Sequence, residues 1–156
     1  MHMTPPNRIL LLVALLTATP MAMAQDDPAS EAELAREHRA DEWRKRTYTF
    51  VLLSTGPATG LDTAVVARHF RGHMDNIGRL AESGDLVVAG PLGKNAHAYR
   101  GLFIFSETDT ARVRTMLDMD PAIVAGLLNA ELYAWYGSAA LPRYLPDAKR
   151  VQKRRP

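Results

Sequence analysis

The chain of 156 residues carries 19 lysines and arginines against 17 aspartates and glutamates, is 47% hydrophobic and contains no cysteine. This length predicts one domain with a real core, and the ordinary composition excludes wholesale disorder, collagen and coiled coil. Without cysteine, a disulfide framework, a thiolate nucleophile and cysteine-ligated zinc or iron–sulfur sites are excluded. The net charge of +2 is unevenly placed, because six basic residues and one acidic residue fall within residues 142–156.

Residues 1–24 have the pattern of an export signal. Arg8 is the single formal charge before Asp26, an unbroken apolar run covers residues 9–16, and the segment ends in a small-x-small sequence at Ala24. This pattern predicts a secretory signal peptide cleaved after Ala24, and therefore a periplasmic or secreted protein. The apolar run is shorter than the ~20 residues of a membrane span, so no span is expected. The alternative is an N-terminal hydrophobic helix that is kept in the fold.

The remaining chain divides into three parts. Residues 25–46 are dense in both charge signs with few apolar positions, which predicts a solvated helix or a mobile arm. Residues 47–141 are expected to form the folded domain. Residues 142–156 form a basic tail, rich in proline, that is expected to be poorly ordered. Because its basic residues are not interleaved with aromatic ones, nucleic acid is not an expected partner.

The first half of the domain predicts a strand, a helix and a second strand. Residues 48–53 are rich in β-forming side chains and stop before a Gly-Pro pair. Asp62 or Thr63 is a candidate N-cap for a helix that runs to Ser83, with Gly84 as its C-terminal stop. Residues 85–89 form the second strand, which the Gly90-Pro91 pair is expected to break.

The second half of the domain predicts a third strand at residues 99–105, a second helix and a fourth strand. Asp109 or Thr110 is a candidate cap for a second helix reaching Leu117. Because a residue before proline disfavours helix, a fresh turn is expected to start with Asp120 as its cap. The last strand covers residues 131–136.

The element order β-α-β-β-α-β is that of ferredoxin-like α+β folds with a four-stranded antiparallel sheet. Both helices are expected on one face of this sheet, which leaves the other face uncovered. A second copy of the chain is the expected cover, so we predict a homodimer. The competing possibility is that the N-terminal arm folds across this face.

His73 is the first candidate for chemistry. At 100° per residue it falls inside the apolar stripe of the first helix, with Val66, Phe70 and Leu80. A histidine on this side is either a core residue with one hydrogen bond or a pocket residue with a tuned pKa. His69 and His73 have the i, i+4 spacing of metal ligands, but no third ligand is evident, so no metal is expected.

Asp120 is the second candidate. As an aspartate before proline it is a typical helix N-cap, which is a purely structural role. Capping does not exclude a second role, because one carboxylate oxygen can cap while the other orients an imidazole. The sequence contains no serine nucleophile motif. It also contains no glycine-rich phosphate loop, so no nucleotide cofactor is expected.

These features together resemble the YCII-related domain family over residues 48–136. The shared positions are His73 on the first helix, Gly84 at its end, Gly90-Pro91 after the second strand, and the Asp118-x-Asp120-Pro121 motif. The resemblance implies a ferredoxin-like domain that pairs into a dimeric α/β barrel. It also implies a pocket with a His–Asp pair as the active site, which falls here on His73 and Asp120. At least one member dehydrochlorinates a chlorinated hydroxyquinol, and the domain is structurally akin to muconolactone isomerase.

Two functions follow as hypotheses. The first is a cofactor-independent lyase or isomerase that acts on a small cyclic or aromatic-derived molecule. His73 would transfer the proton, Asp120 would orient its ring, and Gly90, Pro91 and His69 would contact the substrate. The second is a noncatalytic dimeric module that binds a small ligand or serves as an accessory protein, with a structural His73–Asp120 bond.

Overall fold

The computed structural model describes residues 28–151, and the predicted export signal lies outside them. Its elements follow one another in this order: α1 (Pro28–Glu37), β1 (Lys45–Thr55), α2 (Thr63–Ser83), β2 (Leu86–Pro91), β3 (Tyr99–Phe105), α3 (Thr110–Leu117), α4 (Pro121–Val124), β4 (Leu128–Ser138), a 3₁₀ turn (Leu141–Arg143) and α5 (Tyr144–Val151). In this part of the chain no helix is long and apolar enough to cross a membrane.

The four strands form one antiparallel sheet in the order β2-β3-β1-β4. The two longest strands, β1 and β4, pair along their whole length, and β3 pairs with β1 on the other side. This order, with helices on one side of the sheet, is that of a ferredoxin-like α+β fold. The predicted fold class is therefore confirmed.

The core lies between the sheet and the helices. Alternate residues of β1 and β3 point into it, as the two-residue period of a strand requires. The buried cluster draws on every strand and on α2, α3 and α4: Val51, Leu53, Leu80, Leu86, Phe103, Phe105, Val113, Leu117, Ala122, Leu128 and Ala130.

The strands run past the points where the sequence predicted them to stop. β2 continues through Gly90 and Pro91, which pair with Leu102 and Gly101. Proline is tolerated there because β2 is an edge strand, in which the N–H groups on the solvent side have no partner in the ladder. β4 likewise continues beyond residue 136 to Ser138.

The helix ends agree with the expected capping residues. The Asp62 side chain accepts a hydrogen bond from the Ala64 N–H, and the Asp109 side chain accepts one from the Ala111 N–H. At the end of α2, Gly84 has a φ of 80°, the left-handed conformation that glycine adopts without a Cβ clash.

The segments outside the sheet are partly regular. α1 lies within the predicted arm, and the turn that follows it is fastened to β4 because Tyr136 donates a hydrogen bond to Asp41. This hydrogen bond to the Asp41 carboxylate raises the pKa of Tyr136 to about 12. The residues after Pro142 were expected to lack regular structure, but as far as Val151 they form the 3₁₀ turn and α5.

Candidate functional site

The site forms where α2 passes close to the short helix α4. Gly72 makes this approach possible, because a Cβ atom there would stand 2.6 Å from the Cγ atom of Pro121. A side chain at position 72 would therefore force the two helices apart. The residues that follow and precede this contact are His73 and Asp120, so the contact between Gly72 and Pro121 brings the two candidates together.

His73 and Asp120 form a direct hydrogen bond. His73 Nδ1 donates to Asp120 Oδ2 over 2.7 Å. Asp120 is completely buried, and His73 is 8% exposed. A bond of this length between an imidazole and a buried carboxylate is a strong, charge-assisted one.

Asp120 uses its two oxygens for two purposes. Oδ1 accepts hydrogen bonds from the backbone N–H groups of Ala122 (3.0 Å) and Ile123 (3.4 Å), which caps α4, while Oδ2 accepts from His73. Burial raises the pKa of Asp120, but the hydrogen bond and charge of His73 and the two backbone donors outweigh it and lower the pKa below the ordinary value. Asp120 is therefore an anion at neutral pH.

The charge of Asp120 determines the tautomer of His73. A carboxylate can only accept, so the proton of a neutral imidazole must sit on Nδ1, which leaves a lone pair on Nε2. In residues 31–151 every fully buried side-chain nitrogen or oxygen has a hydrogen-bond partner. Among these residues none is hydrogen-bonded to His73 Nε2, so this atom is not fully enclosed, and the His73 side chain keeps 10% of its surface exposed. The ring therefore presents a proton acceptor at the surface of the site.

Two aromatic side chains hold the imidazole ring in place. The ring of Phe103 stacks on His73 with 5.8 Å between ring centroids, and Phe70 meets it edge-on at 6.0 Å. Phe103 belongs to the buried cluster, whereas Phe70 is partly exposed. The imidazole thus lies between a buried phenyl ring and a partly exposed one.

Two residues that the sequence analysis did not single out complete the surroundings. Asn76 Nδ2 lies 3.5 Å from Asp120 Oδ2, and Arg79 donates to Asn76 Oδ1 over 2.7 Å. The signal for Asn76 was present, because a residue three positions after His73 lies on the same face of a helix.

The other three predicted site residues lie apart from the pair. Gly90 pairs with Leu102, and both residues lie on the face of the sheet opposite to the one that carries Phe103. Phe103 stacks on His73, so Gly90 lies on the other face of the sheet from the pair. Pro91 is exposed at the end of the edge strand. His69 is half-buried one helical turn before His73, and within residues 28–151 no hydrogen bond or ring contact joins it to the pair.

Two surface cavities are lined by other residues. One, of about 570 Å³, lies at the end of the sheet beside His38, Arg46 and Glu107. The other, of about 390 Å³, lies beside Arg114 and Leu132. In the described part of the chain, no three histidines, aspartates or glutamates are grouped in a way that would hold a metal ion.

The contact between Gly72 and Pro121 gives a first prediction. Alanine at position 72 should lower the free energy of unfolding by about 1–3 kcal/mol, because its Cβ overlaps the proline ring. Gly78→Ala is the matched control in the same helix, since a Cβ there has open space, and it should raise stability by about 0.5–1 kcal/mol. Urea unfolding of both variants measures the difference. Equal effects of the two alanines would show that the helices are free to move apart.

No family model matches the chain, and no curated protein matches it significantly. Among solved structures it is similar to the 5-chloro-2-hydroxyhydroquinone dehydrochlorinase TftG from Burkholderia phenoliruptrix AC1100, in complex with 2,5-dihydroxybenzoquinone. The sequences are 17% identical, the TM-score is 0.39, and the match covers 56% of this chain and 92% of that one. A likeness at this score is too weak to support an inference about activity.

Proposed function

We propose that this chain is a YCII-related, cofactor-independent lyase or isomerase that acts on a small cyclic or aromatic-derived molecule. The observation that carries the proposal is the buried His73–Asp120 pair, whose outer nitrogen, Nε2, is not fully enclosed. A purely structural histidine gains nothing from a second nitrogen left without a partner, whereas a general base needs one.

In this proposal His73 takes a proton from a carbon of the substrate. In an isomerisation it returns the proton to another carbon, and in an elimination the C–H electron pair forms the new double bond while a leaving group such as chloride departs with its own bonding pair. Asp120 holds the Nδ1–H tautomer and stabilises the imidazolium that forms when Nε2 accepts the proton, without itself being protonated. The lowered pKa of Asp120 supports this division of roles. Phe70, which is partly exposed and meets the imidazole edge-on, offers an apolar surface that suits a ring-shaped substrate, while the buried Phe103 supports the ring from the core.

The proposal is tested by turnover without added cofactor. The purified protein is incubated in D₂O with chlorinated hydroxyquinols and unsaturated lactones, and NMR follows deuterium incorporation, chloride release or isomerisation. Catalysed exchange or conversion of any of these molecules supports proton-transfer chemistry. Saturable binding of the same molecules with no exchange would contradict it.

The rival function is a noncatalytic binding or accessory module, and one observation favours it. Asp120 already has a structural task as the cap of α4, and a cap bonded to a histidine needs no further explanation. The rival predicts that ligands bind equally well to the protein with glutamine at position 73. The catalytic proposal predicts that this variant binds but does not convert its ligand.

We also propose that the uncovered face of the sheet joins two copies of the chain. Phe50, Leu52 and Leu102 are only half-buried there, and the β4 side chains Tyr133 and Trp135 are 48% and 37% exposed. Light scattering should give twice the chain mass. Leu52→Lys should give a monomer, because it places a charge in the middle of this face, while Leu61→Lys in the exposed loop before α2 should not. A monomeric parent protein would exclude the dimer.

Export is likewise a proposal, made from residues 1–24 of the sequence. Cleavage after Ala24 leaves Gln25 as the first residue of the mature protein. Expression of the full chain in a Gram-negative bacterium, followed by N-terminal sequencing of the periplasmic protein, checks the prediction. A chain that keeps its N-terminus and stays in the cytoplasm would contradict it.

A further inference from the structure

Asn76 occupies an unusual position for an amide. It is 7% exposed on the core side of α2, three residues after His73, in a helix whose other inward side chains are mainly apolar. Burying an amide is costly unless its oxygen and nitrogen find partners. Asn76 has one partner at each end: Arg79 at its oxygen and Asp120 at its nitrogen.

Arg79 decides which way the Asn76 amide points. A guanidinium can only donate, so the amide atom 2.7 Å from Arg79 must be the oxygen. The amide nitrogen is thereby turned toward the carboxylate of Asp120, over 3.5 Å. This distance is long for a hydrogen bond, so its contribution is one of orientation and local field more than of bond strength.

The carboxylate oxygen that Asn76 faces is the one that His73 uses. Oδ2 receives the Nδ1–H of His73 on one side and faces the amide of Asn76 on the other, while Oδ1 is held by the cap of α4. Both oxygens of the Asp120 carboxylate therefore face hydrogen-bond donors, which fix the orientation of the group. Rotation of the carboxylate would take Oδ2 out of reach of His73.

We propose that Asn76, oriented by Arg79, is a positioning residue that holds Asp120 Oδ2 in line with His73 Nδ1 and so keeps the base on Nε2. This inference rests on the proposed function. It extends the pair to an ordered series from Arg79 through Asn76 and Asp120 to His73. None of the first three touches the substrate in this scheme, and each acts through the ring of His73.

The test reads the state of the imidazole directly by ¹⁵N NMR of the whole protein. In the parent protein Nδ1 of the neutral ring should be protonated and Nε2 should not. Asn76→Leu, of similar size but without a donor, should mix the two tautomers. It should also speed the exchange of the Nδ1 proton with water about twofold or more, the factor that a weak hydrogen bond is worth.

Arg79 offers a gentler variant with its own control, since its side chain is exposed. Arg79→Met should shift the tautomer in the same direction, because the amide of Asn76 is no longer oriented, and Arg79→Lys should restore it by supplying a donor. Arg71→Met removes the same charge from an exposed position of α2 and should change nothing. The ¹⁵N signals of His97 serve as an internal reference.

The inference is overturned if folded Asn76→Leu and Arg79→Met proteins both keep the parent's tautomer and exchange rate. If Asn76→Leu does not fold, the tautomer and the exchange rate are compared between Arg79→Met and Arg79→Lys, and identical values in these two proteins overturn the inference. The readout needs no substrate, so a failure of the catalytic proposal is distinguishable from a failure here. Where a substrate is found, Asn76→Leu should lower kcat and leave KM nearly unchanged.

Discussion

Asp120→Ala is expected to lower the free energy of unfolding by about 3 kcal/mol, a large part of a domain's stability. The substitution removes the cap of α4, worth about 0.5–2 kcal/mol, and a hydrogen bond to a charged group, worth about 1.5–3 kcal/mol. It also leaves His73 Nδ1 without its partner in a site where Asp120 was fully buried. Urea unfolding monitored by circular dichroism measures the change.

Asp120→Asn separates the two roles of this side chain. The asparagine oxygen can still cap α4, but the amide cannot carry the charge that His73 Nδ1 faces. Asp120→Asn should therefore lower the free energy of unfolding by about half as much as Asp120→Ala does. Asp109→Ala is the matched control, because Asp109 caps α3 from an exposed position and has no histidine partner; it should cost about 1 kcal/mol. If Asp120→Ala cost no more than Asp109→Ala, the bond to His73 would add nothing to stability.

The pH dependence of this loss has a definite sign. The pKa of Asp120 is lower in the folded protein than in the unfolded chain, where it is about 3.9. Its contribution is therefore fully present above that value and is lost as the pH falls through the lower folded value. The stability that the Asp120 charge adds to the parent relative to Asp120→Asn should shrink below about pH 4. A constant difference down to pH 2 would contradict the lowered pKa.

The sequence predicts the elements of this fold well because their signals are local. Asp120 caps α4 as expected, Asp62 and Asp109 cap the other two helices from the pairs of candidates at their starts, and runs of β-forming residues marked the strands. The lengths of the strands depend on neighbours instead. Pro91 is tolerated in β2 because the strand is at an edge, and Gly137 stays in β4 where it pairs with Arg46 and where the ring of Trp135 fills the space of a Cβ atom.

The candidate site was predictable only in part for the same reason. The apolar stripe of α2 placed His73 on the inner face, and the cap placed Asp120 at the start of α4. Only the resemblance to the YCII-related family predicted that these two residues form a pair. The contact that joins them, between Gly72 and Pro121, depends on how two helices pack and leaves no local signal. The face of the sheet on which residue 90 lies depends on the register of β2, which is set by its pairing with β3.

His73→Gln is expected to have the largest effect on activity. If His73 Nε2 transfers the proton, its loss should lower kcat by about 10²–10⁴-fold, the usual contribution of a positioned acid or base. KM should change little, because the base acts in the transition state more than in substrate binding. Glutamine keeps an amide that can donate to Asp120 Oδ2, so the buried carboxylate is not left alone and the fold should be retained.

The measurement is the initial rate of conversion or deuterium exchange for the best molecule of the panel, at saturating and limiting concentrations. His97→Gln is the control, because His97 is an exposed loop residue stacked on Tyr99 and should leave the rate unchanged. Asp120→Asn should also lower kcat, since the amide no longer stabilises the imidazolium. A His73→Gln protein with full turnover would assign the chemistry to other residues and would leave the His73–Asp120 bond as a structural link between α2 and α4.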